Sequence, residues 1–217
     1  MAARSATRRP LTLGVLCSGR GTNLQAILDA AAGRFPARVG VVVSDRSDAY
    51  ALTRAAKAGV PACWIDPKTF PTREAFEQAM IQTLRARGVK LVCLAGFMRI
   101  LSPTFVRAFP HRLLNIHPAL LPAFPGAHSI RDALEWGAKV TGVTVHLVDE
   151  QVDHGPILLQ DAVPVLAGDT AATLLARVHA TEHRLYPEAI RLMAEGRVRV
   201  QGRRVRILKP TRRSATI

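Results

Sequence analysis

Apolar positions along this chain come in short bursts separated by amphipathic stretches. Residues 11–17, 39–43, 62–65, 90–95 and 112–115 are brief runs rich in Val, Leu and Ile, the length and composition of buried strands. Between them lie helical patterns. Asn23 opens one, directly after the turn Ser18-Gly19-Arg20-Gly21-Thr22. Residues 48–58 are Ala-rich and close at Gly59 with Pro61 beyond, the usual stop arrangement. Thr72 is placed to cap a helix running through Arg87, with Gly88 just past its end. Residues 103–108 form a brief helix. Strand alternating with helix predicts a parallel sheet covered on both faces. The second half changes character. After a helix near 129–136, residues 142–148 and 156–165 read as strands with a short connection, which makes them antiparallel. A long helix follows over 169–193, with Asp169 or Thr170 as its cap, and Pro187 is expected to bend or divide it. Residues 198–207 alternate around Gln201-Gly202 and predict a small hairpin.

Composition narrows this picture. A chain of 217 residues, 48% hydrophobic, is enough for one sizeable domain. We divide it into a basic amino-terminal extension (1–10), a main domain (11–195) and a basic carboxyl-terminal hairpin and tail (196–217). No apolar run reaches the ~18 residues of a membrane span, and residues 1–10 carry Arg4, Arg8 and Arg9 without the apolar core of a secretory signal. Cys17, Cys63 and Cys93 are far apart and set among apolar residues, as expected of small buried side chains in a reducing, cytoplasmic setting. No Cys-x-x-Cys pair exists, and His179 and His183 lack the Glu of a metalloprotease motif, so no metal is expected. The net charge of +14 suggests nucleic acid until it is located. Arg197, Arg199, Arg203, Arg204, Arg206, Lys209, Arg212 and Arg213 supply +8 after the last acidic residue, Glu195, and the first ten residues supply +3. The body between is nearly balanced, which argues against nucleic-acid binding as the main function.

Four segments carry candidate chemistry. The Gly-rich turn before Asn23 offers free N–H groups at a helix start, with Gly21, Thr22 and Asn23 as candidates to hold a phosphate. The spacing is neither a Walker loop nor a full dinucleotide fingerprint, and a tight turn without a ligand is the alternative. In Leu113-Leu114-Asn115-Ile116-His117-Pro118, Asn115 and His117 stand two residues apart on an extended chain and so face one side. A donor beside a group titrating near neutrality is the minimum for acyl transfer; a structural histidine is the plainer reading. The segment 148–156 gathers Asp149, Glu150, Asp153 and His154. It is either a solvated turn or the source of a carboxylate that pairs with His117 and raises its pKa, and Asp153, beside His-Gly-Pro, is the better fixed. The fourth, Leu94-Ala95-Gly96-Phe97-Met98-Arg99-Ile100-Leu101, is ordinary core or one wall of a groove for a flat heterocycle.

These segments, in this order, resemble the phosphoribosylglycinamide formyltransferases over roughly 11–191. The resemblance rests on Cys17-Ser18-Gly19-Arg20-Gly21-Thr22-Asn23-Leu24-Gln25-Ala26, on 94–101, on Asn115-Ile116-His117-Pro118 and on Asp153-His154-Gly155-Pro156. It implies the formyltransferase fold, a Rossmann-like α/β architecture with a mostly parallel sheet, helices on both faces and antiparallel strands in the carboxyl-terminal half. It implies transfer of a formyl group from 10-formyltetrahydrofolate, the co-substrate, to the amine of phosphoribosylglycinamide, with no metal. By position, Gly21, Thr22, Asn23 and Glu182 would hold the ribonucleotide. Arg73, Met98, Arg99, Ile100, Leu101 and Asn115 would line the folate site, and Asn115, His117 and Asp153 would be catalytic, with a protonated His117 stabilising the oxyanion. A monomer or homodimer is expected. Ala119 and Ala123 stand where Ser and Lys are common in the family, and His154 where a glycine is common. The related methionyl-tRNA formyltransferases and formyltetrahydrofolate deformylases would need further domains that this length does not accommodate.

Overall fold

The computed structural model describes residues 9–210. Most of the extension at 1–10, and the tail at 211–217 with Arg212 and Arg213, lie outside the described residues. The first half alternates as its pattern requires: β1 Leu11–Cys17, α1 Thr22–Ala31, β2 Ala37–Ser44, α2 Tyr50–Lys57, β3 Ala62–Trp64, α3 Arg73–Ala86, β4 Leu91–Leu94, α4 Pro103–Ala108 and β5 Leu113–His117. Then come α5 Ser129–Glu135, β6 Val140–Leu147, β7 Ile157–Pro164, α6 Ala171–Ala194, β8 Val198–Gln201 and β9 Arg204–Ile207. Strands β1 to β7 form one sheet in the order β3-β2-β1-β4-β5-β6-β7, and β8-β9 a separate hairpin. All pairings through β4–β5 are parallel, whereas β5–β6 and β6–β7 are antiparallel.

Alternation within the buried strands divides the core between the two faces. Leu13, Val15 and Cys17 of β1, with Leu91 and Cys93 of β4, pack under α1 and α6; Leu16, Val92 and Leu94 face α3 and α4 with Met80, Leu84 and Phe105. Both neighbours of β1 are parallel to it, but the chain reaches β2 directly and β4 only after crossing back. The carboxyl ends of β1 and β4 therefore flank the point where strand order reverses, the place where open α/β sheets form a ligand crevice.

For α6 the structure selects among the alternatives. The helix is capped by Thr170, whose hydroxyl exchanges hydrogen bonds with Thr173, while Asp169 binds Arg177 instead. Pro187 does not divide it; the helix runs 24 residues through the proline. An interior proline costs about 3 kcal/mol, but the face carrying Leu174, Val178, Leu185, Tyr186, Ala189 and Ile190 is buried along its length, and each such side chain stabilises by roughly 1.5–3 kcal/mol. Tyr186, fully buried, sets its hydroxyl 2.9 Å from the Leu94 carbonyl and 3.0 Å from the Leu114 carbonyl, tying α6 across β4 and β5.

Candidate active site

The Gly-rich turn is shaped by packing. Gly21, the residue before α1, has φ 68, and a Cβ there would stand 2.8 Å from the Ala51 side chain. Glycine meets both demands, left-handed backbone and close approach of α2. No side chain caps α1, so its first N–H groups face outward as an anion site would need. Asn23 is buried and donates from Nδ2 to Glu182 Oε2 at 3.0 Å, joining α1 to α6. Burial pushes the Glu182 carboxyl up to about 7, with the Asn23 amide partly opposing. His179 Nε2 stands 3.9 Å from Glu182 Oε2, and the His179 and His183 rings stack with centroids 6.0 Å apart. Burial, then His183 and Arg20, hold His179 below the usual imidazole range.

On the other side of β1, residues 96–102 leave the end of β4 as a pinned ledge. Ser18 accepts the Met98 N–H at 3.0 Å, and Gly96 accepts the Ser18 N–H at 2.9 Å. Arg73 reaches Glu77 at 3.0 Å and the Ile100 carbonyl at 2.5 Å, while the buried Glu77 carboxylate takes the Ser102 N–H at 2.9 Å and also its hydroxyl. Met98 and Ile100 are 73% and 65% exposed, an apolar surface left without cover. Leu101 turns inward with Phe105 and Phe109, so its side chain adds nothing to that surface. Beside the ledge opens a cavity of about 590 Å³ lined by Ser18, Asp45, Arg46, Trp64 and Lys68 as well as Met98 and Arg99. Sequence reasoning missed Ser18, Glu77 and Ser102, whose only signal is ordinary polar character.

At the end of β5, the strand next to β4, Asn115, His117 and Asp153 meet. Asp153 sits on the β6–β7 loop with φ 49. Its Oδ1 lies 3.4 Å from Asn115 Nδ2, its Oδ2 3.4 Å from His117 Nδ1, and Oδ2 accepts the Gly126 N–H at 2.8 Å. A Cβ on Gly155 would come within 1.7 Å of the Leu147 carbonyl, so glycine lets the loop lie against β6. Asp149 accepts from His154 at 2.7 Å and Glu150 pairs with Arg107, both away from His117. His146, buried opposite Asn115 in the β5–β6 register, completes the group at 3.2 Å from Asn115 Nδ2. Sequence could not assign His146, because cross-strand register decides its neighbour. The loop after His117 is braced by Thr144, which binds the Leu121 N–H and the Ala119 carbonyl, and contains a cis Leu121-Pro122 bond.

The pKa of His117 moves against the expected direction. Burial pushes its pKa below the ordinary value, more than the Asp153 charge and the Phe124 carbonyl, 2.8 Å from Nε2, push it up. Asp153 is close enough to orient the ring but not to offset its desolvation. For Asp153 itself burial raises the pKa, and the bonds from His146 and the Gly126 amide, with His117, outweigh it and hold the carboxylate ionised.

A family model described as formyl transferase matches residues 12–190. The chain belongs to the formyl transferase family. Within that family it is 50% identical over 194 residues to the phosphoribosylglycinamide formyltransferase of Mycobacterium tuberculosis, covering 89% of this chain and 90% of that protein. It is 48% identical over 190 residues to the trifunctional purine biosynthetic protein adenosine-3 of Drosophila pseudoobscura pseudoobscura, covering 86% of this chain but spanning only 14% of that longer protein. Among solved structures, glycinamide ribonucleotide transformylase 1 from Symbiobacterium toebii superposes with a TM-score of 0.92 at 57% identity, covering 96% of this chain and 99% of the other. The phosphoribosylglycinamide formyltransferase of Coxiella burnetii follows at 0.88 and 41%, over 92% of this chain and 94% of the other. The seven-stranded sheet with its antiparallel end is thus the formyltransferase fold, and the chain is a formyltransferase enzyme.

Proposed function

We propose that this formyltransferase moves the formyl group of 10-formyltetrahydrofolate to the amine of 5'-phosphoribosylglycinamide, in purine synthesis in the cytoplasm. The observation that carries the reading is the meeting of Asn115, His117 and Asp153 at the end of β5, with an exposed apolar ledge after the neighbouring β4 and an anion-suited helix start after β1. The names of the relatives support the acceptor and the formyl group. In this reading the ribonucleotide phosphate lies on the N–H groups of Gly21, Thr22 and Asn23, and Glu182 accepts from its hydroxyls. The folate ring lies on the ledge of Met98, Arg99 and Ile100, and its acidic tail runs toward Arg73.

Chemistry then follows from the states of the residues. The neutral amine attacks the formyl carbon, and the carbonyl π pair moves onto oxygen. Asn115 donates to the oxyanion. His117, neutral in the free enzyme because burial holds its pKa down, takes the proton that the attacking nitrogen loses and becomes an imidazolium oriented by Asp153. That proton passes to folate N10 as the C–N10 bond breaks, the oxyanion re-forms the carbonyl, and tetrahydrofolate leaves. Substrate takes the place of the Phe124 carbonyl at Nε2.

The test is an absorbance assay with both substrates. Tetrahydrofolate is expected only when the amine is present. Release without it would make the enzyme a deformylase, and no release with either would remove the substrate assignment.

A further inference from the structure

Two features remain outside this function: the basic hairpin, and His154, the neighbour of Asp153. The structure brings them together. Arg203, in the turn between β8 and β9, lies with Nη1 2.8 Å from His154 Nε2 and donates from Nη2 to the His154 carbonyl at 2.7 Å. The other ring nitrogen of His154 stands 2.7 Å from Asp149 Oδ2. The same Nη1 lies 3.2 Å from Nδ1, so the guanidinium lies across the ring face rather than on the in-plane lone pair of Nε2, while Nδ1 keeps its contact with Asp149. His154 follows Asp153 directly, and Asp153 is held in the left-handed region at φ 49, where a non-glycine residue needs its surroundings to fix it.

We propose that Arg203 is a positioning residue for the formyl transfer, its guanidinium fork gripping both the main chain and the ring of His154 so that the adjacent Asp153 carboxylate stays against Asn115 and His117. The inference rests on the catalytic reading of Asp153. A planar guanidinium is needed because it donates to the carbonyl and lies against the ring at once, which a single ammonium does not reproduce. The grip comes from the hairpin and falls on His154 rather than on a residue assigned to either substrate, so its loss affects alignment rather than binding.

The test compares full-length wild type with Arg203→Ala and Arg203→Lys, and uses Arg204→Ala, the same charge one residue on, as control. Turnover, both KM values, melting temperature and hydrogen exchange of the amides at 148–155 are measured. Both Arg203 variants are expected to lower kcat about tenfold, with KM values within about twofold and faster exchange in the loop. Melting temperature is expected to change by no more than about 2 °C, and Arg204→Ala to match wild type. Wild-type kcat in Arg203→Lys overturns the proposal, since charge alone would then suffice. A loss expressed in KM, or a kcat loss without faster loop exchange, overturns it too. If wild type transfers no formyl group, the functional reading fails separately. Loop exchange then decides, and unchanged exchange in Arg203→Ala overturns the proposal.

Discussion

At His117 two acceptors face one ring, the Asp153 carboxylate at Nδ1 and the Phe124 carbonyl at Nε2. Only an imidazolium satisfies both, yet burial favours the neutral ring. This opposition suits a group that must gain a proton and give it back. His117→Ala and Asp153→Asn are each expected to lower turnover at least about 100-fold while the thermal melt still shows a folded protein; full activity in either would remove that residue from the mechanism. Glu182 makes a second prediction. In the folded state burial lets its carboxyl hold a proton to about pH 7, against an ordinary value of 4.5. The folded state thus binds the extra proton between those values, and raising pH through that window costs stability, up to about 3 kcal/mol. Denaturant titrations at pH 4.5 and 8 should show the fall in wild type and lose most of it in Glu182→Gln; equal pH dependence in both would refute the assignment. What could be read from sequence at this scale followed from periodicity: Asn115 and His117 share a side because strands repeat every two residues. The charge on His117 could not be read, since it depends on how many atoms exclude water from the ring, nor could Asn23 be paired with Glu182 from 159 positions away.

At the scale of elements, Tyr186 links one helix to two strands through a single buried hydroxyl. Tyr186→Phe keeps the ring and removes that link, and should cost about 1–3 kcal/mol in urea denaturation; a change below ~0.5 kcal/mol would mean the strand carbonyls find other partners. The buried strands β1, β2 and β4 were legible because unbroken apolar runs bounded by Gly and Pro leave few alternatives. The position of β1 between β2 and β4, and the antiparallel pairing of β5 with β6, were not, because strand order depends on which faces match after the helices pack. That Pro187 leaves the helix undivided could not be read, because helix propensity is local, while the burial that outweighs it belongs to the whole sheet face.

Across the whole molecule the candidate site draws on the β1–α1 turn, the ends of β4 and β5, the β6–β7 loop and α6, and so spans nearly the full chain. The bond from Asn23 to Glu182 closes that span. Its consequence lies in time as well as in space. Loops of this length form late, because their closing entropy must be met before the contact rewards it. During synthesis or refolding, the proposed phosphate edge at Gly21–Asn23 exists before its wall on α6 arrives. Ribonucleotide binding should therefore return after the sheet does. In stopped-flow refolding, recovery of strand circular dichroism is expected to precede recovery of nucleotide affinity by a resolvable lag, and simultaneous recovery would place α6 docking in the folding nucleus instead. A nascent chain would then present no competent site to its substrates until its last long helix has docked.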